Sequence, residues 1–138
     1  MDHEQREVSL ESKIYGKAYE DLTPQCVSKI VAIDFDGVIH QFRDRMKAND
    51  EILHDEIPGA IESLYNLHTL GYKLIVFTAR RAKTHLMVKN WIEERIQLKY
   101  KNTTIPIEVT NIKPVAKIYI DDRAIRFTNW TDIMNYLG

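Results

Sequence analysis

Two aspartates separated by one residue follow an apolar run in the stretch "IVAIDFDGVIH", Ile30 to His40. The four apolar residues at its start predict a strand that is buried on both faces of a sheet. A buried carboxylate without a partner is costly, and Asp34 and Asp36 are close enough to repel each other. The pair therefore predicts either a position just outside the sheet, in water, or a bound cation.

Other polar residues follow the later apolar segments of the chain. Thr78 ends the segment "KLIVFT", Asp121 and Asp122 follow "AKIYI", and Lys113 lies shortly before that last segment. In open sheets of parallel strands, ligands bind beyond the carboxyl ends of the strands, so one edge would gather these side chains. Several carboxylates without a His or Cys cluster suit a hard cation, and Mg²⁺ is the first choice.

A magnesium site that keeps water ligands and open positions usually acts on phosphate. A nearby lysine and a small hydroxyl would hold the phosphoryl oxygens. One aspartate can attack phosphorus to form an aspartyl-phosphate. A second can give a proton to the leaving oxygen and later take one from the hydrolytic water. The residue types thus predict phosphoryl transfer chemistry.

The elements that must position these residues alternate between strands and helices. The predicted strands are 30–34, "KLIVFT", 105–109 and "AKIYID"; the predicted helices are "IPGAIESLYNLHTLG", "AKTHLMVKNWIEERIQ" and a last short one over "WTDIMNYLG". Such alternation, with near-continuous apolar strands, favours a mostly parallel sheet covered on both faces.

Composition sets limits on the class of protein. The 138 residues are 44% hydrophobic and 28% charged, which suits one domain with a sizeable core. A formal net charge of -1 gives no global attraction to nucleic acid or membrane. Cys26 is the one cysteine, so no internal disulfide can form, which favours a reducing cytoplasm. No apolar run could span a bilayer, and the opening "MDHEQREVSLE" does not resemble a signal peptide.

The motifs resemble those of the haloacid dehalogenase superfamily, in that family's order. They are "DFDGV" after the first strand, "VFTAR" at the second, the lysine of "NIKP", and "IYIDD". The resemblance covers about residues 30 to 127. It implies that residues 30–138 form a catalytic domain of this type, with residues 1–29 as an N-terminal appendage. The implied fold is a three-layer α/β/α Rossmann-like domain with a mostly parallel sheet of strand order 4-1-2-3.

The resemblance also implies roles for the aspartates. Asp34 would be the nucleophile, and Asp36 would be the general acid/base, lending its backbone carbonyl to the metal. Asp121 and Asp122 would complete the Mg²⁺ site with Asp34, and which of the two is the direct ligand stays open.

The same resemblance implies a set of phosphate-binding residues. Thr78 and Lys113 would hold the phosphoryl group and so count as catalytic. Gly37, Ala79 and Arg80 would line the substrate site beside them. Arg80 could equally be a salt-bridging or surface residue.

Three details refine this interpretation. Lys117 competes as the phosphate-binding lysine, but Lys113 is preferred because Lys117 falls within a predicted strand. The haloalkanoate-cleaving members of the family lack an acid at the position of Asp36, so its presence favours phosphoryl transfer. Residues 38–57 and 79–112 leave no room for a cap domain, so the chain resembles a capless member.

The sequence therefore predicts a Mg²⁺-dependent phosphoric monoester hydrolase that acts through an aspartyl-phosphate. The alternatives are a phosphotransferase, a phospho-receiver module and a catalytically idle binding domain on the same fold. The order of the motifs argues against the receiver, whose acidic pair lies on the first strand and whose phosphorylated aspartate lies on a middle one. The substrate is a phosphorylated small molecule or macromolecule, with nucleic acid only as a substrate, and the sequence allows a homo-oligomer.

Four further expectations concern the surroundings of the site. In the appendage, apolar residues recur at every fourth position from Leu10 to Leu22, which predicts either a helix or a frayed tail. The charged connection from 40 to 56 is either a passive loop or a flap that closes over bound phosphate. His40 is predicted to be a loop residue, and Trp130 to anchor the last helix to the sheet.

Overall fold

A computed structural model gives the structure of residues 23–41 and 53–138. Its elements are α1 (Pro24–Val27), β1 (Ile30–Asp34), α2 (Ala60–Thr69), β2 (Lys73–Phe77), α3 (His85–Lys99), β3 (Ile107–Thr110), β4 (Ile118–Ile120) and α4 (Trp130–Leu137), with a 3₁₀ turn at Ala82–Thr84 before α3. The predicted helix and flap segments in residues 1–22 and 42–52 lie outside the described residues.

The four strands form one sheet of order β3-β2-β1-β4, and every pairing is parallel. The sheet is flanked by helices, and the described residues contain no cap domain. The predicted α/β class and the strand order 4-1-2-3 are therefore confirmed. Because β1 lies between β2 and β4, the strand order reverses there, which places a crevice at the carboxyl ends of β1 and β4.

The two outer strands begin later than predicted. Pro106 has no backbone N–H, so pairing with β2 starts at Ile107, opposite Leu74, although Ile105 is already buried. Backbone pairing of β4 with β1 has Ile118 opposite Val31 as its first residue pair.

The main core lies on one face of the sheet, under α2 and α3. Helix α2 begins after Gly59 and buries Ile61 and Leu64. Helix α3 buries the four residues of its predicted apolar stripe, which are Val88, Trp91, Ile92 and Ile96. These side chains pack against alternate residues of β1 and β2 in one cluster. The helical periodicity therefore predicted correctly which helix faces meet the sheet.

The last helix does not pack as expected. No residue of α4 is buried, and the side chain of Trp130 is 71% exposed, so the predicted anchoring role is wrong. The Trp130 ring contacts Phe127, at 5.4 Å between ring centroids, which is a contact within the same exposed segment. None of the helices in the described part of the chain is both long and apolar enough to cross a membrane.

The core assignment predicts the outcome of two substitutions on the same helix. Ile92 has no exposed surface, whereas Leu98 is 76% exposed. Ile92→Ala should lower the free energy of unfolding by about 2–5 kcal/mol because it leaves a cavity under the sheet. Leu98→Ala should change it by less than about 0.5 kcal/mol. Urea unfolding followed by circular dichroism would measure both, and equal losses would contradict the described packing.

Candidate functional site

Three carboxylates meet at the carboxyl edge of the sheet. The parallel register pairs Ile33 with Ile120, so the residues that follow them, Asp34 and Asp121, emerge side by side. One carboxylate oxygen from each of Asp34, Asp121 and Asp122 lies within 4.8 Å of the other two. The sheet thus gathers the three side chains that the sequence assigned to a cation.

A tight turn brings Gly37 against this cluster. The backbone N–H of Gly37 donates to the carbonyl of His40 at 2.8 Å, and Gly37 has φ +86°. A Cβ atom at this position would lie 2.2 Å from Oδ2 of Asp122. Glycine is therefore required twice, for the positive φ and for the close approach of Asp122.

Asp34 is in an environment that disfavours its charge. Burial raises the pKa of Asp34 to about 7, with the charges of Asp121 and Asp122 adding to the effect. The N–H of Phe35, which donates to Oδ1 of Asp34 at 2.9 Å, opposes the shift. A cation held by the three carboxylates would offset this repulsion, and an all-oxygen donor set suits Mg²⁺.

Asp36 is in the opposite environment. The Nε atom of Arg80 donates to Oδ2 of Asp36 at 2.8 Å, and a terminal nitrogen of Arg80 donates to Oδ1 at 2.8 Å. Nδ1 of His40 lies 2.9 Å from the same Oδ1. Burial alone would raise the pKa of Asp36, but hydrogen bonds from Arg80 and His40 and the charge of Arg80 lower it to about 2. Asp36 is therefore a charged acceptor at neutral pH.

His40 lies outside the named strands and helices, as predicted for a loop residue, but it is buried in the core. It has no exposed surface, and its ring stacks on Phe35 at 4.8 Å between centroids. Trp91 meets the ring edge-on at 5.2 Å, and the ring of His54 lies 5.7 Å away. One feature of the sequence could have indicated that His40 contacts Asp36: His40 follows Asp36 by four residues, after the largely apolar segment Gly37, Val38 and Ile39.

Thr78 lies directly after β2, at the edge where the acidic cluster sits. Its side chain is almost fully buried, and its backbone N–H donates to the carbonyl of Thr110 at 2.9 Å. Its Oγ1 accepts the backbone N–H of Arg80 at 3.2 Å. Ala79, between them, is exposed. Thr78 therefore shapes a turn ahead of the 3₁₀ segment, while the residue at the N-cap of α3 is Thr84.

Arg80, predicted as a substrate-binding or salt-bridging residue, is buried with its guanidinium on Asp36. The guanidinium carbon also lies 5.3 Å from the centroid of the Phe35 ring. The structure thus supports the salt-bridging interpretation, and contact of Arg80 with a substrate stays a prediction.

The two candidate lysines lie at opposite ends of the sheet. Lys117 precedes β4, donates its backbone N–H to Ile30 at 2.9 Å, and places Nζ 3.3 Å from the hydroxyl of Tyr72. These contacts are at the amino ends of the strands, away from the acidic cluster. Lys117 does not fall within a strand, so that reason for preferring Lys113 is wrong. The position of Lys117, away from the acidic cluster, still favours Lys113 as the phosphate-binding lysine. Nζ of Lys113 lies 4.9 Å from the Tyr119 ring centroid, and phosphate contact stays a prediction.

The described ends of the connection between β1 and α2 pair with each other. The N–H of Gln41 donates to Asp55, and the N–H of Ile57 donates to Ile39, each at 2.8 Å. The backbone N–H of His54 donates to Nε2 of His40 at 2.6 Å. The base of the connection is therefore fixed beside Asp36, and the rest of the predicted flap, residues 42–52, lies outside the described ranges.

Comparisons with known proteins add little to this geometry. No model of a known protein family matches the chain, and no curated protein matches it. A solved structure described as a conserved protein coded by a locus from Bacteroides thetaiotaomicron is similar, at 21% sequence identity and a TM-score of 0.49. The match covers 80% of this chain and 89% of that one. At this TM-score the similarity supports no statement about function.

The clamp on Asp36 predicts a loss of stability in acid. Its pKa is 3.8 unfolded and about 2 folded, so the stabilisation is present above pH 3.8 and is lost as pH falls through about 2. Between pH 5 and pH 2.5, the wild type should lose about 1–2 kcal/mol more unfolding free energy than Asp36→Asn, which has no carboxyl at this position. Urea titrations at both pH values would measure this, and equal losses in the two proteins would contradict the described pairing.

The close approach of Gly37 to Asp122 predicts a selective effect on metal binding. Gly37→Ala and Gly59→Ala both place a side chain at positive φ, but a Cβ at Gly59 would meet nothing within 4 Å. Both variants should lose about 1 kcal/mol of stability from backbone strain. We expect only Gly37→Ala to weaken Mg²⁺ binding, by about tenfold or more, because it displaces Asp122. Isothermal titration calorimetry with MgCl₂ would decide this, and equal affinities in the two variants would contradict it.

Proposed function

We propose that the chain is a Mg²⁺-dependent phosphohydrolase of the haloacid dehalogenase type, acting through an aspartyl-phosphate on Asp34. The observation that carries the proposal is the convergence of Asp34, Asp121 and Asp122, from two neighbouring parallel strands, within 4.8 Å. Like charges at this distance are costly unless a cation or a proton intervenes. When bound, Mg²⁺ would neutralise these carboxylates and polarise the oxygens of a phosphoryl group.

The first step forms a bond between a carboxylate oxygen of Asp34 and phosphorus. The bond from phosphorus to the leaving oxygen breaks, and its electron pair stays on that oxygen, which then takes a proton. Asp36 is the proposed source of this proton, but Arg80 and His40 hold it as a charged acceptor. Asp36 must therefore be protonated before it can donate, so leaving groups that need little protonation should react faster.

The second step hydrolyses the aspartyl-phosphate and needs a proton acceptor, which the charged carboxylate of Asp36 can be. The oxygen of a water molecule attacks phosphorus, and Asp36 takes the proton that this water loses. The bond between phosphorus and Asp34 breaks, and its electron pair restores the carboxylate of Asp34. Inorganic phosphate leaves, and the proton on Asp36 returns to solvent or serves the next turnover. An acceptor held in one place is what this step requires.

The phosphoryl group would be positioned by residues at the same edge. The exposed Ala79 follows the buried Thr78, and Gly37 lies against Asp122 of the acidic cluster. Lys113, in the segment after β3, would supply a positive charge. These roles follow from the resemblance to the superfamily and from the placement of these residues at the carboxyl edge.

The test is a phosphatase assay on the purified chain, with a panel of nucleotides, sugar phosphates, phosphopeptides, DNA 3′- and 5′-phosphates and an activated aryl phosphate. We expect turnover that requires Mg²⁺ and is fastest with the aryl phosphate. Asp34→Asn should lower kcat by at least about a thousandfold, because the isostere keeps the shape and loses the nucleophile. Asp132→Asn, in the exposed first turn of α4, is the matched control and should keep full activity.

Thermal unfolding with and without Mg²⁺ gives a second reading of the same site. Mg²⁺ should raise the Tm of the wild type and of Asp132→Asn, and should have little effect on Asp34→Asn. Full activity in Asp34→Asn, or after exhaustive chelation, would overturn the proposal. Absence of turnover on every member of the panel would also count against a phosphatase.

A further inference from the structure

We propose that His40 and Arg80 are positioning residues that hold the carboxylate of Asp36 in one orientation, with His40 linking that orientation to the connection between β1 and α2. The inference rests on the proposed function, in which Asp36 carries the proton. It assigns a role to a buried histidine that the phosphoryl-transfer motifs leave without one, and it gives the buried Arg80 a positioning role beside the substrate contact that those motifs imply.

Arg80 fixes the plane of the carboxylate. Its two hydrogen bonds to Asp36, both 2.8 Å, go to different oxygens, and such a two-pronged pair fixes the carboxylate plane more firmly than a single bond. Arg80 is itself held in place, because its backbone N–H donates to Thr78 and its carbonyl lies 2.8 Å from Nε2 of His85. The Phe35 ring lies beside the guanidinium.

His40 supplies a third donor, and its tautomer follows from its partners. The backbone N–H of His54 can only donate, so Nε2 of His40, 2.6 Å away, must accept. Nδ1 of the neutral ring then carries the proton and donates to Oδ1 of Asp36 at 2.9 Å. The rings of Phe35 and Trp91 confine the imidazole, which has no exposed surface and so cannot turn freely.

This ring joins Asp36 to the far end of the connection. His54 lies on the strand-like segment that pairs with the residues around His40, through the hydrogen bonds of Gln41 with Asp55 and of Ile57 with Ile39. A shift of this segment would move the N–H of His54. The imidazole of His40 would move with it, and so would the donor to Oδ1 of Asp36. The position of the proton carrier is thus tied to the base of the connection.

The consequence for catalysis is geometric. A proton carrier must lie within hydrogen-bond reach of the atom it serves, and a misplacement of about 1 Å can cost about a hundredfold in rate. An aspartate on a turn after a strand could adopt several rotamers. Three donors on its two oxygens leave Asp36 one orientation, and that orientation was not specified by the motif "DFDGV" alone.

Two variants of His40 separate positioning from packing. His40→Asn keeps an N–H donor near the place of Nδ1 and loses the partner of His54. His40→Gln keeps an acceptor near the place of Nε2 and loses the donor to Asp36. The two replacements are chemically alike, so a purely structural role predicts similar losses. Arg80→Lys keeps the charge and loses the two-pronged geometry, and Arg95→Lys is its control.

Arg95 is a fair control because it is also held by an aromatic ring and a carboxylate. Its guanidinium carbon lies 4.3 Å from the centroid of the Trp91 ring, and it pairs with Glu56 at 3.6 Å. It also donates to the carbonyl of His54 at 3.4 Å, so it contacts the same segment as His40 does, but it makes no described contact with Asp36. The assay follows an activated aryl phosphate with Mg²⁺ in the stopped flow, because its first step needs little protonation and the second step then limits the rate.

We expect His40→Gln and Arg80→Lys to keep the initial burst of aryl alcohol, with the burst amplitude expressed per mole of folded protein. Their steady-state kcat should fall about 30- to 100-fold, and phosphoenzyme should accumulate. His40→Asn and Arg95→Lys should stay within about fivefold of the wild type. Burst and steady-state rate falling together in all four variants, or equal losses in His40→Asn and His40→Gln, would overturn the inference while the proposed function stands.

Crystal structures of Arg80→Lys and of His40→Gln give a reading that needs no activity. We expect the Asp36 side chain to adopt a second rotamer in either variant, with the sheet unchanged. An Asp36 carboxylate that keeps its place in both variants would overturn the inference. If the wild type shows no turnover, the proposed function fails, and these structures still decide whether His40 and Arg80 position Asp36.

Discussion

The parallel pairing of β1 with β4 is the constraint on which the candidate site depends. Asp34 and Asp121 come together because Ile33 lies opposite Ile120 and both strands run in the same direction. A slip of one residue would turn Asp121, which follows β4, towards the other face of the sheet. The register therefore brings together carboxylates that repel one another, and a bound cation would offset the cost of this repulsion.

Strand β4 buries less of its side chains than any other strand of the sheet. Ile118, Tyr119 and Ile120 are all partly exposed, whereas the apolar residues of β1 are buried. Strand β4 is therefore held mainly by its backbone pairing with β1, and no residue of α4 is buried. A cation bridging Asp34 and Asp121 would join the same two strands at their carboxyl ends, so metal binding and the stability of this edge should be coupled.

Asp34 and Asp36 are two residues apart and have opposite electrostatic environments. Asp34 faces two further carboxylates, which together with burial disfavour its charge. Asp36 faces Arg80 and His40, which favour its charge. Pairs of carboxyls whose surroundings shift their pKa values apart are typical of sites that assign them different roles. In the proposed mechanism, one aspartate attacks phosphorus and the other handles protons.

Much of the fold could be predicted from the sequence, because strands and helices are determined mainly by residues that are close together in the chain. Apolar runs and helical stripes predicted the elements and the buried residues of α3, and the succession of strands and helices predicted the parallel sheet. The order of its strands came from the resemblance of the motifs to the superfamily. Asp34, Asp121 and Asp122 could be grouped because every parallel strand ends at the same edge. Only the tertiary structure decided what surrounds Asp36. The contacts of Arg80, His40 and His54 depend on how the turn after β1 packs against α3 and the far end of the connection. No periodicity in the sequence records those distances, because a side chain's partners are set by packing between segments and not by the order of residues along one of them.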